Sequence, residues 1–388
     1  MLDIDFLDLE LFITGPTWLR PEIRQAATLP EFGHRDTENL KRFGPIFQHL
    51  STLAGLTGSI LSTNASNYEV ILFNGSGSTA MEAAIRSLVA EEDTILHVTI
   101  GAFGDLWQNM SLANGKRAEC LAFEPGQIID PDRLDHTLAA VRPAVVACTH
   151  NETSTGVLND LTAVAEVVHN YKALLLIDGV SLLGAAPVNI PALRPAMYIA
   201  STQKGLALPA GFGIAYVAPD ALDKARYVQH RGFASDILAQ LELARKYQTL
   251  TTLNTTLANQ MAIQLDYIVH NEGLAARFAR HTIMRDMVHA WVDTRPELSL
   301  FAEAEHGSPT ITAVQTSIGM TEADLIWIKE CMRSRGYLFD PGYAKLNARL
   351  SAQGRPFIFR IGHLGDITPT MLERYLSHLG EIMADLKI

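Results

Sequence analysis

The sequence predicts an α/β protein with a large, mainly parallel seven-stranded sheet and a smaller α+β domain toward the C-terminus. Three observations carry this. Seven short apolar runs fall between residues 70 and 217, most without polar alternation, as in strands buried on both faces. Helical patterns separate several of the runs, which argues for parallel crossover units. Further on the order changes to two strands flanking one helix.

Taken in order, residues 1–20 read as an N-terminal arm. The apolar runs are Val70–Phe73, Thr94–Val98, Ala118–Phe123, Ala144–Thr149, Leu174–Ile177, Met197–Ser201 and Gly213–Val217. Helical spacing marks Ser78–Leu88, Asp130–Val141 and Leu161–Tyr171, then Asp236–Tyr247 and Thr256–Asn271, with Gly273 as a stop signal. Thr310–Thr316 and Pro356–Ile361 read as strands around the helix Glu322–Ser334. A last helix starts at Thr368, with Pro369 in its first turn. The expected division is the arm, a large domain over 21–260 and a small domain over 261–388.

Composition narrows the function class. With 388 residues, 48% hydrophobic and 19% charged, the chain is that of a compact enzyme of two domains. A net charge of −11 repels nucleic acid and anionic membrane, so neither is an expected partner. Cys120, Cys148 and Cys331 are widely spaced and sit in apolar stretches, which predicts buried free thiols rather than a disulfide framework or a metal site. The start, Met1-Leu-Asp-Ile-Asp5, carries acid where a signal peptide carries base, and the longest apolar runs are far too short to span a membrane. A cytoplasmic location is expected.

Four segments carry chemistry. Lys204, in Ala200-Ser-Thr-Gln-Lys-Gly205, lies between a strand and the glycine- and proline-rich loop to Gly213, where sheet enzymes place their sites. A lysine held there forms a Schiff base if its surroundings lower its pKa. Asp178 ends the strand Leu174–Ile177, and its carboxylate needs a partner once buried. A protonated pyridine nitrogen is one such partner, and the pair makes the ring an electron sink. Phe73-Asn-Gly-Ser-Gly-Ser-Thr-Ala80 joins a strand to a helix whose N-terminus offers free N–H groups to a phosphate. His150-Asn-Glu-Thr-Ser-Thr-Gly156 follows another strand with a run of hydroxyls. Each motif is weak alone, and a nucleotide-binding glycine fingerprint is absent from the sequence.

Together they resemble the class V (alanine/serine–glyoxylate) aminotransferase family of fold-type I pyridoxal-phosphate enzymes. The likeness covers nearly the whole chain in the right order, strongest at Ser201-Thr-Gln-Lys204, Glu152–Gly156, Asp178-Gly-Val180 and Phe359-Arg-Ile-Gly-His-Leu-Gly365. The resemblance implies that Lys204 carries the Schiff base and that Asp178 pairs with the pyridine nitrogen, with Val180 packed on the ring. Ser76, Gly77, Ser78 and Gln203 would hold the phosphate, and Thr153 would bond near the ring hydroxyl. Phe103 sits where the family stacks an aromatic, often tryptophan. Arg360 would bind the substrate carboxylate, a role its planar fork suits. Tyr247 and Thr249 lie where the family reaches into a neighbouring subunit's phosphate site, with Thr252 a rival for Thr249. Thr17 matches the family's substrate side, and His34 and Arg35 resemble a loop that binds an anionic side chain across a dimer interface.

The implied activity is amino transfer from a small amino acid of alanine or serine type to a 2-oxo acid such as glyoxylate or pyruvate, ping-pong through pyridoxamine phosphate, in a homodimer. Phosphoserine or 2-aminoethylphosphonate transamination is the alternative that His34 and Arg35 keep open. A cysteine desulfurase needs a mobile nucleophilic cysteine, and Cys331 falls inside a helical pattern. A non-catalytic binding protein would have lost the lysine, aspartate or arginine, and all three are present.

Overall fold

The computed structural model describes residues 8–56, 67–317 and 319–386; Met1–Asp5, read above for a leader, lies outside them. The seven apolar runs form one sheet. Its strands are β1 (Glu69–Gly75), β2 (Thr94–Thr99), β3 (Arg117–Ala122), β4 (Val145–Thr149), β5 (Leu174–Asp178), β6 (Met197–Ser201) and β7 (Gly211–Val217), in the spatial order β1-β7-β6-β5-β4-β2-β3. Only β7 runs against its neighbours; the other pairings are parallel.

The alternation within each strand explains the unbroken apolar runs. Val146, Cys148, Leu175 and Ile177 enter one hydrophobic core, while Val145, Ala147 and Leu176 enter the core on the opposite face. A strand covered on both sides needs apolar residues at every position. Helix ends are fixed locally. Asp130 is not the first helical residue but the cap of Pro131–Val141, and Asp160 caps Leu161–Asn170, which starts where expected; each accepts from backbone N–H groups of its helix.

A second sheet, β8 (Ser299–Leu300), β9 (Ile311–Gln315) and β10 (Ile358–Gly362), is antiparallel in that order. Its core takes residues from the helices Leu274–Asp293, Glu322–Ser334 and Pro369–Ala384. The twenty-residue helix Leu274–Asp293 is not announced by an apolar stripe. Its inward positions are Arg277, His281, Met284, Val288 and Val292, so its first two buried turns present polar side chains.

Two expectations change. The N-terminal segment is more than an arm: Glu10–Leu11 pairs with Tyr337–Leu338, and Phe12 is fully buried, stacked on Tyr375 at 4.0 Å. Burial of one such ring contributes roughly 1.5–3 kcal/mol. Of the three free cysteines only Cys148 is buried; Cys120 is exposed and Cys331 half-buried. Cys120 lies on β3, where charged neighbours face solvent on a sheet-edge strand.

Candidate active site

The site forms where parallel strands end. Asp178 closes β5 in register with Thr149 of β4, and Lys204 follows β6 by three residues. Carboxyl ends of parallel strands open the crevice in which α/β sheets bind ligands. Asp178 is 5% exposed, and the one hydrogen bond to its carboxylate among the described residues comes from the Val180 N–H at 2.9 Å. Burial raises its pKa to about 7; the Val180 bond opposes this, Glu152 adds to it, and Lys204 opposes it. Lys204 is shifted the other way, to about 8, by burial first and Arg360 second, against the pull of Asp178, Asp340 and Glu152. Its ammonium nitrogen donates to the carbonyl of Thr14. Gly15 crosses over the lysine at φ +123°, a backbone conformation that favours glycine.

The glycine–serine turn comes to the same place. Ser76 precedes the helix Gly77–Leu88, and its N–H donates to Thr79 Oγ1 at 3.2 Å. A Cβ on Gly77 would stand 2.4 Å from Val180 Cγ2. That glycine therefore brings the helix N-terminus, with its unpaired N–H groups, against the loop after Asp178. Gln203 adds a buried Oε1 with no hydrogen-bond partner among the described residues.

Glu152 holds the third wall. It is fully buried, and its Oε2 accepts from the N–H groups of Phe103 (3.1 Å) and Gly104 (3.4 Å) at the start of the helix Ala102–Ala113. Its Oε1 accepts from the N–H and hydroxyl of Ser154 at 2.9 and 2.6 Å. Burial raises the Glu152 pKa while these donors lower it. The helix start so fixed puts the Phe103 ring centroid 5.9 Å from the Lys204 nitrogen.

Arg360 comes from β10 of the second sheet and is 7% exposed. Nη1 donates to the Thr153 carbonyl at 3.0 Å; Nε and Nη2 reach Asp340 at 3.3 and 3.0 Å. Lys204, Asp178, Val180, Ser76, Gly77, Phe103, Thr153 and Arg360 are thus linked through these contacts, with Ser78 in the same helix turn and Gln203 next to Lys204 in the chain.

Other candidates stand elsewhere in the single chain. The Thr17 hydroxyl donates to Leu364 O at 3.2 Å beneath Gly365, and it is Thr14, three residues earlier, that meets Lys204. Arg35 donates to Leu250 O and Gln248 to Arg35 O, each at 3.2 Å, while His34 is half-buried beside it. Tyr247 stacks on Phe47, and Thr249 donates to Thr251 O at 2.7 Å. These residues form a second group of loops, tied to the first where Asn74 donates to Thr251 Oγ1 at 2.9 Å and to the Thr252 carbonyl at 2.5 Å.

Sequence reasoning marked Gly15-Pro-Thr17 as the entry to the site but missed Thr14, Asp340 and Arg277. Arg277 is fully buried and donates to Gly184 O and Gly205 O at 2.7 Å each, to Glu272 at 2.6 Å and to Asp366 at 2.9 Å. Since Gly205 follows Lys204, this arginine pins the loop that presents the lysine. Asp340-Pro-Gly342 was visible as a turn signal, but its partner Arg360 lies twenty residues on, beyond any local pattern.

The residues fit pyridoxal phosphate. A buried carboxylate with a raised pKa suits a pyridinium partner, a lysine with a lowered pKa suits Schiff-base chemistry, and a glycine–serine helix N-terminus held against the loop after Asp178 suits a phosphate. Comparison with known proteins agrees with this geometry. A soluble hydrogenase 42 kDa subunit of Anabaena cylindrica is 32% identical over 97% of this chain and 94% of its own length. An L-aspartate–glyoxylate aminotransferase of Paracoccus denitrificans is 28% identical over 97% and 91%. The crystal structure of an alanine–glyoxylate aminotransferase from Nostoc sp. superposes with a TM-score of 0.87 at 23% identity, over 99% of this chain and 97% of that one. The model of the aminotransferase class-V family matches residues 61–330, and the chain belongs to that family.

Proposed function

We propose that this chain binds pyridoxal phosphate and moves an amino group from a small amino acid to a 2-oxo acid such as glyoxylate or pyruvate. The observation that carries the reading is the convergence of buried Lys204, Asp178 and Arg360, with the lysine's pKa lowered by burial first and Arg360 second, against the pull of Asp178. Family membership supports the cofactor. The printed activity of the Paracoccus relative supports glyoxylate as an acceptor.

When bound, the cofactor supplies an electron sink for proton removal at the substrate's α-carbon. Lys204 would hold it covalently, Asp178 would pair with its ring nitrogen, and Phe103 and Val180 would cover the ring. Ser76, Gly77, Ser78 and Gln203 would take the phosphate, and Thr153 the ring hydroxyl. The chain's own residues then do the following. Lys204, with its pKa near 8, passes between amine and ammonium near neutral pH, so it accepts a proton from the α-carbon and returns it. Arg360 offers its remaining N–H donors to the carboxylate shared by donor and acceptor, which orients both alike. The N-terminal segment at Thr14–Gly15 lies over Lys204 and limits water there.

A homodimer is part of the proposal. The loops bearing His34, Arg35, Tyr247 and Thr249 form their own group in one chain, which supports the use of Tyr247 and Thr249 at a neighbour's phosphate site and of His34 and Arg35 toward an anionic side chain across the interface.

The test is a half-reaction screen. Purified protein with pyridoxal phosphate should be yellow, and alanine, serine, aspartate and phosphoserine are each mixed with it. Loss of colour with alanine or serine supports the reading; reaction with phosphoserine alone overturns the donor class. Lys204→Ala should lower the half-reaction rate on the order of 10²–10⁴-fold. A wild type that stays colourless with added cofactor overturns the whole assignment.

A further inference from the structure

Asp340 stands where an incoming carboxylate would be expected to pair, on the one arginine that reaches the lysine's field. It is 7% exposed, as is Arg360. Its Oδ1 accepts from the Gly342 N–H at 3.0 Å and from Arg360 Nε and Nη2 at 3.3 and 3.2 Å. Its Oδ2 faces the Thr14 N–H at 3.4 Å and Arg360 Nη2 at 3.0 Å. A carboxylate with donors on both oxygens is a fixed part of the wall.

Arginine has five N–H donors in a rigid fork. Asp340 occupies the side edge, Nε and one hydrogen of Nη2; the Thr153 carbonyl takes one hydrogen of Nη1. One N–H remains on each terminal nitrogen, which is what a single carboxylate needs. Asp340 also ties three remote pieces together: the arginine strand, the turn at Gly342 and Thr14, whose carbonyl accepts from Lys204. Thr14 therefore meets Asp340, the partner of Arg360, with its N–H and Lys204 with its carbonyl.

We propose that Asp340 is a positioning residue for substrate recognition: it locks Arg360 by its side edge, so that only its two terminal nitrogens are presented, and these take one carboxylate. This rests on the reading of Arg360 as the carboxylate-binding residue. Asp340 itself does not touch the reacting atoms. Its removal should affect ligands that carry a carboxylate and spare those that do not.

The experiment compares two amine reagents of similar size on the yellow, cofactor-loaded protein. Aminooxyacetate carries a carboxylate and methoxyamine does not; both discharge the colour by capturing the cofactor's aldehyde carbon, which reports docking without turnover. Rates are measured for wild type, Asp340→Asn, Asp340→Ser and, as reference, Arg360→Lys. In wild type aminooxyacetate should react faster. In Asp340→Asn the ratio of the two rates should fall about tenfold, the scale of a weakened charge-assisted bond, with methoxyamine within about twofold of wild type. Asp340→Ser should fall at least as far. A ratio unchanged in both Asp340 variants but collapsed in Arg360→Lys overturns this inference and leaves the carboxylate role of Arg360 standing. An equal loss for both reagents makes Asp340 a fold residue and also overturns it. A ratio unmoved in all three variants overturns the Arg360 reading itself.

Discussion

Two buried arginines, both paired with aspartate, lie on either side of the lysine loop and do different things. Arg277 is completely enclosed, and its donors are taken by two backbone carbonyls and two carboxylates of the protein. Arg360 has one aspartate and one carbonyl, and keeps donors on both terminal nitrogens. A guanidinium is costly to bury unless its hydrogens are met. Where the protein meets four of the five N–H groups, as at Arg277, the arginine is a rivet; where it meets three, as at Arg360, the proposed ligand takes the remaining pair. Burial and charge do not separate the two cases, but the tally of satisfied donors does.

The sharpest way to break this comparison is to remove the rivet. Arg277→Met takes one of two arginines from Asp366, which keeps Arg20, and from Glu272, which keeps Arg280, and leaves the carbonyls of Gly184 and Gly205 without their donor. Stability should fall by about 3 kcal/mol in chemical denaturation, the scale of a broken buried ion pair. A variant as stable as wild type would end the distinction. Arg360→Lys should do the reverse. It keeps a cation for Asp340, so stability should change by less than about 1 kcal/mol, while the loss of the planar fork weakens carboxylate binding on the order of 10²-fold. KM values for amino acid and oxo acid should rise together, since both use the same group. A rise for one alone would mean two carboxylate sites.

The smallest effect is one of pH, measured on cofactor-free protein. Asp178 has an ordinary pKa of 3.8, raised by burial to about 7. Between those values the folded state holds more protons than the unfolded, so this group's contribution to stability falls as pH rises through the window. Lys204 moves from 10.5 down to about 8, so between 8 and 10.5 the unfolded state holds more protons and stability rises with pH. Denaturation midpoints of Asp178→Asn and Lys204→Met should lose these two slopes, one each. Slopes that persist in both variants would place the titrating groups elsewhere.

Much of the site was legible before the structure because its parts are local. A strand end, an aspartate and a lysine one crossover apart, and a glycine–serine turn before a helix are all written in consecutive residues. The seven strands were legible for the same reason: burial on both faces leaves no polar alternation. The helix Leu274–Asp293 was not, because Arg277 and His281 occupy its inward positions and erase the apolar stripe. The packing of the N-terminal segment was not legible either, because the burial of Phe12 depends on Tyr375, hundreds of residues away.

The sequence by itself determined which elements form, in what order, and which residue types could anchor a cofactor and a carboxylate. Only the tertiary structure decided which arginine stays available, that Asp340 fixes it, and that Thr14 rather than Thr17 lies on the lysine. The physical reason is range. Backbone propensity and hydrophobic period act over a few residues, whereas a hydrogen bond between positions 14 and 340 exists only after the chain has closed on itself.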